Sequence, residues 1–229
     1  MEQFKFGKCK ISLSNVRKVY ESKGENVEAL RGLSLEINPG EFLAIAGPSG
    51  SGKSTLLNLL GGLDKPTSGK IFFGEKDLGS LTNAQLCVLR LFTIGFIFQS
   101  YNLLPILTAV ENVEYVMLLQ EMDPVMRRQK ALEMLGEVGL SSMAHRRPLE
   151  LSGGQQQRVA VARAIVSHPL VVLADEPTAN LDSHTATALL DLMAHLNATK
   201  NITFVFSSHD PLVLSRAKRI IRLHDGQIE

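Results

Sequence analysis

Gly47-Pro-Ser-Gly-Ser-Gly-Lys-Ser54 has the residue types and spacing to hold a polyphosphate. It fits the pattern G-x-x-x-x-G-K-[ST], in which glycines bring backbone N–H groups up to phosphate oxygens where any Cβ would intrude. Lys53 is suited to bridge β- and γ-phosphates, and the Ser54 hydroxyl to ligate Mg²⁺. The candidate nucleotide-binding residues are therefore Gly47, Pro48, Ser49, Gly50, Ser51, Gly52, Lys53, Ser54 and Thr55. A second glycine-rich segment, Leu151-Ser-Gly-Gly-Gln155, lies far along the chain. Ser152, Gly153, Gly154 and Gln155 open an expected helix, Gln155–Ser167, whose free N–H groups and serine hydroxyl again suit phosphate.

Carboxylates come next. Val171-Val-Leu-Ala-Asp-Glu176 reads as a buried strand that delivers two adjacent acids at its C-terminal end, where open α/β sheets bind ligands. Alternation should point them in different directions. Asp175 suits a Mg²⁺ contact, direct or through water, and Glu176 suits polarising a water that attacks the γ-phosphorus. General-base help of that kind is worth about 10²–10⁴ in rate. Gln99, ending the strand Ile94–Phe98, has an amide fit to ligate Mg²⁺ or orient the water. His209 follows a strand beginning at Ile202 and should reach the same edge. The histidines at 145, 168, 184, 195 and 224 read as structural or surface residues. Tyr20 either stacks on adenine through its ring face or packs in the core.

These groups need an edge to sit on, and the apolar runs supply one. Short β-rich stretches at Lys10–Val16, Leu33–Ile37, Phe42–Ala46 and Ile71–Phe73 come first, broken by turns such as Asn38-Pro-Gly40 and Pro66-Thr-Ser-Gly69. Only one helix, beginning at Lys53, is expected among them. Ile94–Phe98, Val171–Ala174, Ile202–Phe206 and Ile220–Leu223 follow, the second and third of them followed by helical stretches, an alternation that marks a parallel α/β core. Ala109–Gln120 and Val125–Val138 carry helical spacing with no strand between them, so roughly Gln99 to Arg163 reads as a helical insertion.

Composition bounds the rest. A chain of 229 residues with 45% hydrophobic content can bury a core as one domain. With 24 basic and 23 acidic residues there is no electrostatic reason to expect nucleic acid. Arg127-Arg128, Arg146-Arg147 and the basic stretch Arg216–Arg222 read as solvated faces. Cys9 and Cys87 lack metal-type spacing and read as reduced thiols. Met-Glu-Gln-Phe-Lys-Phe has no apolar core of a signal peptide, and no apolar run reaches the roughly 18 residues of a membrane span. No direct membrane insertion is expected.

In their order along the chain, Gly47–Ser54, Gln99, Leu151–Gln155, Val171–Glu176, Ala179-Asn-Leu-Asp182 and His209 resemble the motifs of an ATP-binding-cassette (ABC) nucleotide-binding domain. They correspond to its Walker A, Q-loop, signature, Walker B, D-loop and H-loop, with Tyr20 at its aromatic A-loop position. The resemblance covers nearly the whole chain from about Ile11. It implies a P-loop NTPase fold of the α/β class: a parallel-sheet RecA-like core (about 1–98 and 164–229), an antiparallel β subdomain and a helical subdomain (about 99–163). It implies ATP and Mg²⁺ as ligands and ATP hydrolysis as the activity. Glu176, His209, Lys53 and Gln99 would be catalytic; Ser54, Gln99 and Asp175 would organise the metal. Ser152–Gln155 and Asp182 would act across a head-to-tail dimer, on the ATP of a second copy.

Asn58–Gly69, Gly95–Pro105, Thr108–Val113 and Leu173–Asp182 resemble the LolD/MacB type more narrowly. That type energises membrane permeases for lipoprotein release or for macrolide or peptide export, from the cytoplasmic face of the bacterial inner membrane. The alternative is an FtsE-like ATPase that regulates a cell-envelope process through a membrane partner. Ser207-Ser-His209 replaces the commoner Val-Thr-His, and Ala179 stands where many relatives carry Gly. The chain ends soon after His224-Asp-Gly-Gln-Ile, so the permease is expected on a separate polypeptide.

Overall fold

The computed structural model describes residues 9–21, 24 and 26–229. The stretch Met1–Phe6, read above as no signal peptide, lies outside them. The first half of the chain forms β1 (Ile11–Glu21), β2 (Asn26–Ile37), β3 (Phe42–Ala46), α1 (Lys53–Leu60), β4 (Ser68–Phe73), β5 (Lys76–Asp77), α2 (Asn83–Thr93) and β6 (Ile94–Ile97). There follow α3 (Ala109–Leu119), α4 (Pro124–Glu137), α5 (Gly153–Ile165), β7 (Val171–Asp175), α6 (Ser183–Lys200), β8 (Thr203–Ser208), α7 (Pro211–Arg216), β9 (Arg219–His224) and β10 (Gln227–Ile228). One sheet is antiparallel, in the order β2-β1-β4-β5. The other runs β10-β9-β3-β8-β7-β6, parallel except for β10.

Period-two alternation divides the core between the faces of the parallel sheet. Phe42, Ala44, Val172, Ala174, Phe204 and Phe206 face one core with α3, α4, α5, α6 and α7. Leu43, Ile45, Val171, Leu173 and Val205 face the other, shared with α1, α2 and the inner side of the antiparallel sheet. Strands covered on both faces read as unbroken apolar runs, which is why β3 is apolar throughout and every residue of it is buried. Each of Phe42, Leu43 and Ile45 contributes about 1.5–3 kcal/mol relative to exposure. The rings of Phe42 and Phe206 pack at 4.8 Å between centroids, beneath the edge that carries the chemistry.

Helix starts are specified by side chains, with one exception. Thr82 with Gln85, Thr108 with Glu111, and Ser152 with Gln155 form capping boxes for α2, α3 and α5. Asp123, Asp182 and Asp210 cap α4, α6 and α7. Among the described α-helices, α1 alone has no side-chain cap. Gly52 precedes it in left-handed conformation, φ 102°, and leaves its first-turn N–H groups to an outside acceptor.

Among the early strands α1 is the one helix, as expected. Two features were not anticipated. A further helix, α2, lies between β5 and β6; its Leu86, Leu89 and Thr93 fall on one buried face, and the Thr82/Gln85 box was the readable signal. The first two strands also run further than their apolar stretches. β1 continues to Glu21 and β2 begins at Asn26, where register shifts and exposure break up the alternation.

Candidate nucleotide site

Four adjacent strands bring the candidate groups to one edge. β3 runs into Gly47, β8 into His209, β7 into Glu176, and Gln99 stands two residues beyond β6. Register aligns their ends: Ala46 pairs with Ser208, Asp175 with Ser207, and Ile97 with Ala174. Above them lies a cavity of about 570 Å³. Ser49, Gly50, Gly52, Lys53, Ser54 and Thr55 line it from the loop and the start of α1, and Gln99, Glu176, Ala179 and His209 from the sheet edge. The remaining wall is Val27, Glu28, Ala29 and Arg31 of β2 with the turn Asp225-Gly226. Sequence reasoning missed that wall. Its only signal was the Asp-Gly turn.

Close approach fixes the loop's shape. A Cβ on Gly52 would stand 2.5 Å from the Ala29 carbonyl oxygen, and one on Gly47 would stand 2.1 Å from that of Leu223. The Gly226 N–H donates to the Ser51 carbonyl at 3.1 Å, tying the loop to the turn behind it. Lys53 is buried, and its ammonium donates to the carbonyls of Gly47 at 2.7 Å and Pro48 at 2.8 Å. An ammonium has three donors, so one remains for a phosphate oxygen. The Ser51 hydroxyl is buried with no partner among the described residues.

The acids differ as alternation predicts. Asp175 Oδ1 accepts from the Ser54 hydroxyl at 3.1 Å and from Ser207. Glu176 instead lines the cavity, with Oε1 2.9 Å from His209 Nδ1 and Oε2 accepting from Ser208 at 3.4 Å. Its backbone is left-handed, φ 44°, a conformation that costs an L residue roughly 1–2 kcal/mol. The His209 side chain is 70% exposed, so its contact with Glu176 adds about 0–1 kcal/mol as an ion pair. Its value lies in orientation. The Gln99 carbonyl accepts from the Asn180 amide at 3.0 Å, which links the sheet edge to the segment leading to Asp182.

Ser152, Gly153, Gly154, Gln155 and Asp182 do not line this cavity. Ser152 Oγ accepts the Gln155 N–H at 3.3 Å, and Gln155 Oε1 accepts the Ser152 N–H at 2.9 Å. Asp182 caps α6 through Thr185, whose hydroxyl and N–H hold its carboxyl below the usual carboxylate range. Arg163 of α5 donates to the carbonyls of Tyr101 at 3.0 Å and Asn102 at 2.6 Å, so the stretch after Gln99 is clamped to the helix that Ser152 opens. Tyr20 also lies outside the lining. Its hydroxyl donates to Asp64 at 3.0 Å, and Lys18 Nζ sits 4.8 Å from its ring centroid. No helix among the described residues is long and apolar enough to cross a membrane.

An uncapped helix start, a lysine-bearing glycine loop and paired carboxylates on one parallel-sheet edge define a nucleotide-binding α/β cassette. The ABC transporter family matches residues 30–179, and the chain belongs to that family as an ABC-type ATPase. The lipoprotein-releasing system ATP-binding protein LolD of Legionella pneumophila (strain Paris) is 48% identical over 211 residues, 92% of this chain and 93% of its own length. The macrolide export ATP-binding/permease protein MacB of Syntrophobacter fumaroxidans (strain DSM 10017 / MPOB) is 45% identical over 221 residues. That match takes in 96% of this chain but 31% of MacB, so the chain spans about a third of that longer relative. Among solved structures, a dimer of the ATP-binding cassette MJ0796 in a post-hydrolysis state with ADP and Pi superposes with TM-score 0.89. It is 44% identical and the match covers 96% of both chains.

Proposed function

We propose that this cassette closes head-to-tail on a second copy around ATP and drives a separate membrane permease of the LolD/MacB type. One observation carries the reading: Ser152–Gln155 and Asp182 stand outside the cavity that Lys53 and Glu176 line. Ser152 and Asp182 nonetheless present exposed polar groups at two helix starts. A nucleotide in that cavity needs a second chain to bring those groups to it. Two-fold symmetry then makes two composite sites.

Within each site, Lys53 and the loop N–H groups hold the β- and γ-phosphates, and the Tyr20 ring is a platform for adenine. Among the described residues no group of three or more His, Cys, Asp or Glu can hold a metal. The hard oxygens of Ser54 and Asp175 suit Mg²⁺, which binds through one or two carboxylates plus substrate phosphates. Gln99 is a further ligand or water-orienting group. When bound, Mg²⁺ offsets the negative charge on the phosphates. Glu176 takes the proton of the water attacking the γ-phosphorus, and His209 orients Glu176. The bond from the γ-phosphorus to its bridging oxygen breaks and ADP leaves. Such transfer is mostly positioning and charge stabilisation.

Residues 99–163 act in this reading as a helical subdomain that carries the motion outward. After Gln99, Leu104 and Ile106 are exposed, the latter at 77%, and Tyr115 and Leu118 of α3 lie open beside them in sequence. That apolar surface suits a permease's cytoplasmic helix, which would hold the cassette at the inner face of a bacterial membrane. Cross-linking from Leu104→Cys or Leu107→Cys to a co-expressed permease tests the docking. No cross-link at either position would contradict it.

A further inference from the structure

Ser207 is fully buried, and its hydroxyl lies between the two acids that end β7. It is the register partner of Asp175. It donates to Asp175 Oδ1, the oxygen that also accepts from Ser54 at 3.1 Å, and it accepts the Glu176 N–H at 3.1 Å. The directions follow from chemistry. A backbone N–H can only donate, and an ionised carboxylate can only accept, so the serine proton goes to Asp175 and a lone pair to Glu176.

Both bonds act on groups with a demanding geometry. The Asp175 carboxylate must keep one oxygen against Ser54, and Ser207 pins that same oxygen from below. Glu176 must hold a left-handed backbone, φ 44°, which persists only where the surroundings fix it. Its N–H bond to Ser207 is such a constraint. Beyond that bond the Glu176 side chain reaches His209 at 2.9 Å.

We propose that Ser207 is a positioning residue: one buried hydroxyl sets both the Asp175 carboxylate for Mg²⁺–ATP and the backbone from which Glu176 reaches the attacking water. This rests on the roles given above to Asp175 and Glu176. Groups that orient metal-binding carboxylates typically change metal affinity or activity by about 10–100-fold when removed.

The test compares Ser207→Val with Ser207→Thr, which have nearly the same shape and differ in the hydroxyl. Equilibrium binding of ATP across a Mg²⁺ titration is measured in a Glu176→Gln background, alongside turnover with Glu176 intact and melting temperature. Ser207→Val is expected to need about tenfold more Mg²⁺ for half-maximal effect and to lose about tenfold in kcat, while Ser207→Thr keeps both. Unchanged Mg²⁺ dependence and kcat in Ser207→Val would overturn the proposal. So would equal losses in both variants, or a lowered melting temperature with unchanged Mg²⁺ dependence, since those mark packing alone. Wild-type turnover in Glu176→Gln would overturn the reading of Glu176 itself, and the Mg²⁺ titration would still decide the Asp175 half.

Discussion

Glu176 Oε1 and His209 Nδ1 lie 2.9 Å apart, joining the residue after β7 to the residue after β8. An ionised carboxylate can only accept, so this contact is a hydrogen bond when Nδ1 carries a proton. In the proposed mechanism the pair has an order of dependence: the carboxylate would do the proton transfer and the imidazole would orient it. Replacing Glu176 by Gln is expected to lower kcat by about 10²–10⁴ with ATP binding retained. His209→Ala is expected to cost less than that. Steady-state turnover and equilibrium ATP binding on the same preparations check both; a larger loss in His209→Ala would reverse the assignment.

Lys53 is buried and donates to the Gly47 and Pro48 carbonyls at 2.7 and 2.8 Å, which leaves its third donor for the phosphate proposed above. A charge-assisted hydrogen bond contributes about 1.5–3 kcal/mol, so Lys53→Ala should weaken ATP binding by at least about tenfold. Titration with a fluorescent ATP analogue reads this directly. Wild-type affinity would remove Lys53 from the site.

Gly154 lies against α6. A Cβ there would clash with Thr185 Cγ2, so Gly154→Ala must force the start of α5 and the Thr185 side chain apart. ATP binding to the chain's own loop should survive, while ATP-driven dimerisation and turnover fall. Adding Thr185→Ser removes Cγ2 but keeps the hydroxyl that bonds Asp182. Turnover restored in the double variant confirms the steric cause, and no restoration refutes it.

Stability should weaken in acid through the cap of α3. The Thr108 hydroxyl and N–H hold the Glu111 carboxyl below its ordinary value. A depressed folded-state pKa means stability that is present above the unfolded value of about 4.3 and lost as pH falls through the folded one. Thr108→Ala should therefore lower the melting temperature at neutral pH more than at pH values below the Glu111 range. Thermal melts across that interval check the sign. A loss that grows towards acid would contradict it.

Legibility in the sequence followed how local each feature is. β3 and α1 were readable to the residue, because five buried apolar residues and a glycine-lysine loop declare themselves within a few positions. The edge of candidate groups was readable for the same reason: each sits at the end of its own apolar run. The wall formed by Val27–Arg31 and Asp225-Gly226 was not, since it exists through contacts distant in sequence, such as the Arg31 N–H on the Gly226 carbonyl at 2.9 Å. The outer half of β2 was hidden because it is exposed and its pairing with β1 slips register. Ser207 was visible as a departure from the commoner valine. That its hydroxyl bridges two acids became visible only when the register set it opposite Asp175.

The central claim is that one chain holds only half of each site. Sizing of Glu176→Gln with ATP and Mg²⁺ tests it most directly, since hydrolysis cannot then reopen the pair. The expected result is a dimer that forms with ATP and is absent without it. A chain that stays monomeric at high concentration, both alone and with its membrane partner, would contradict the account.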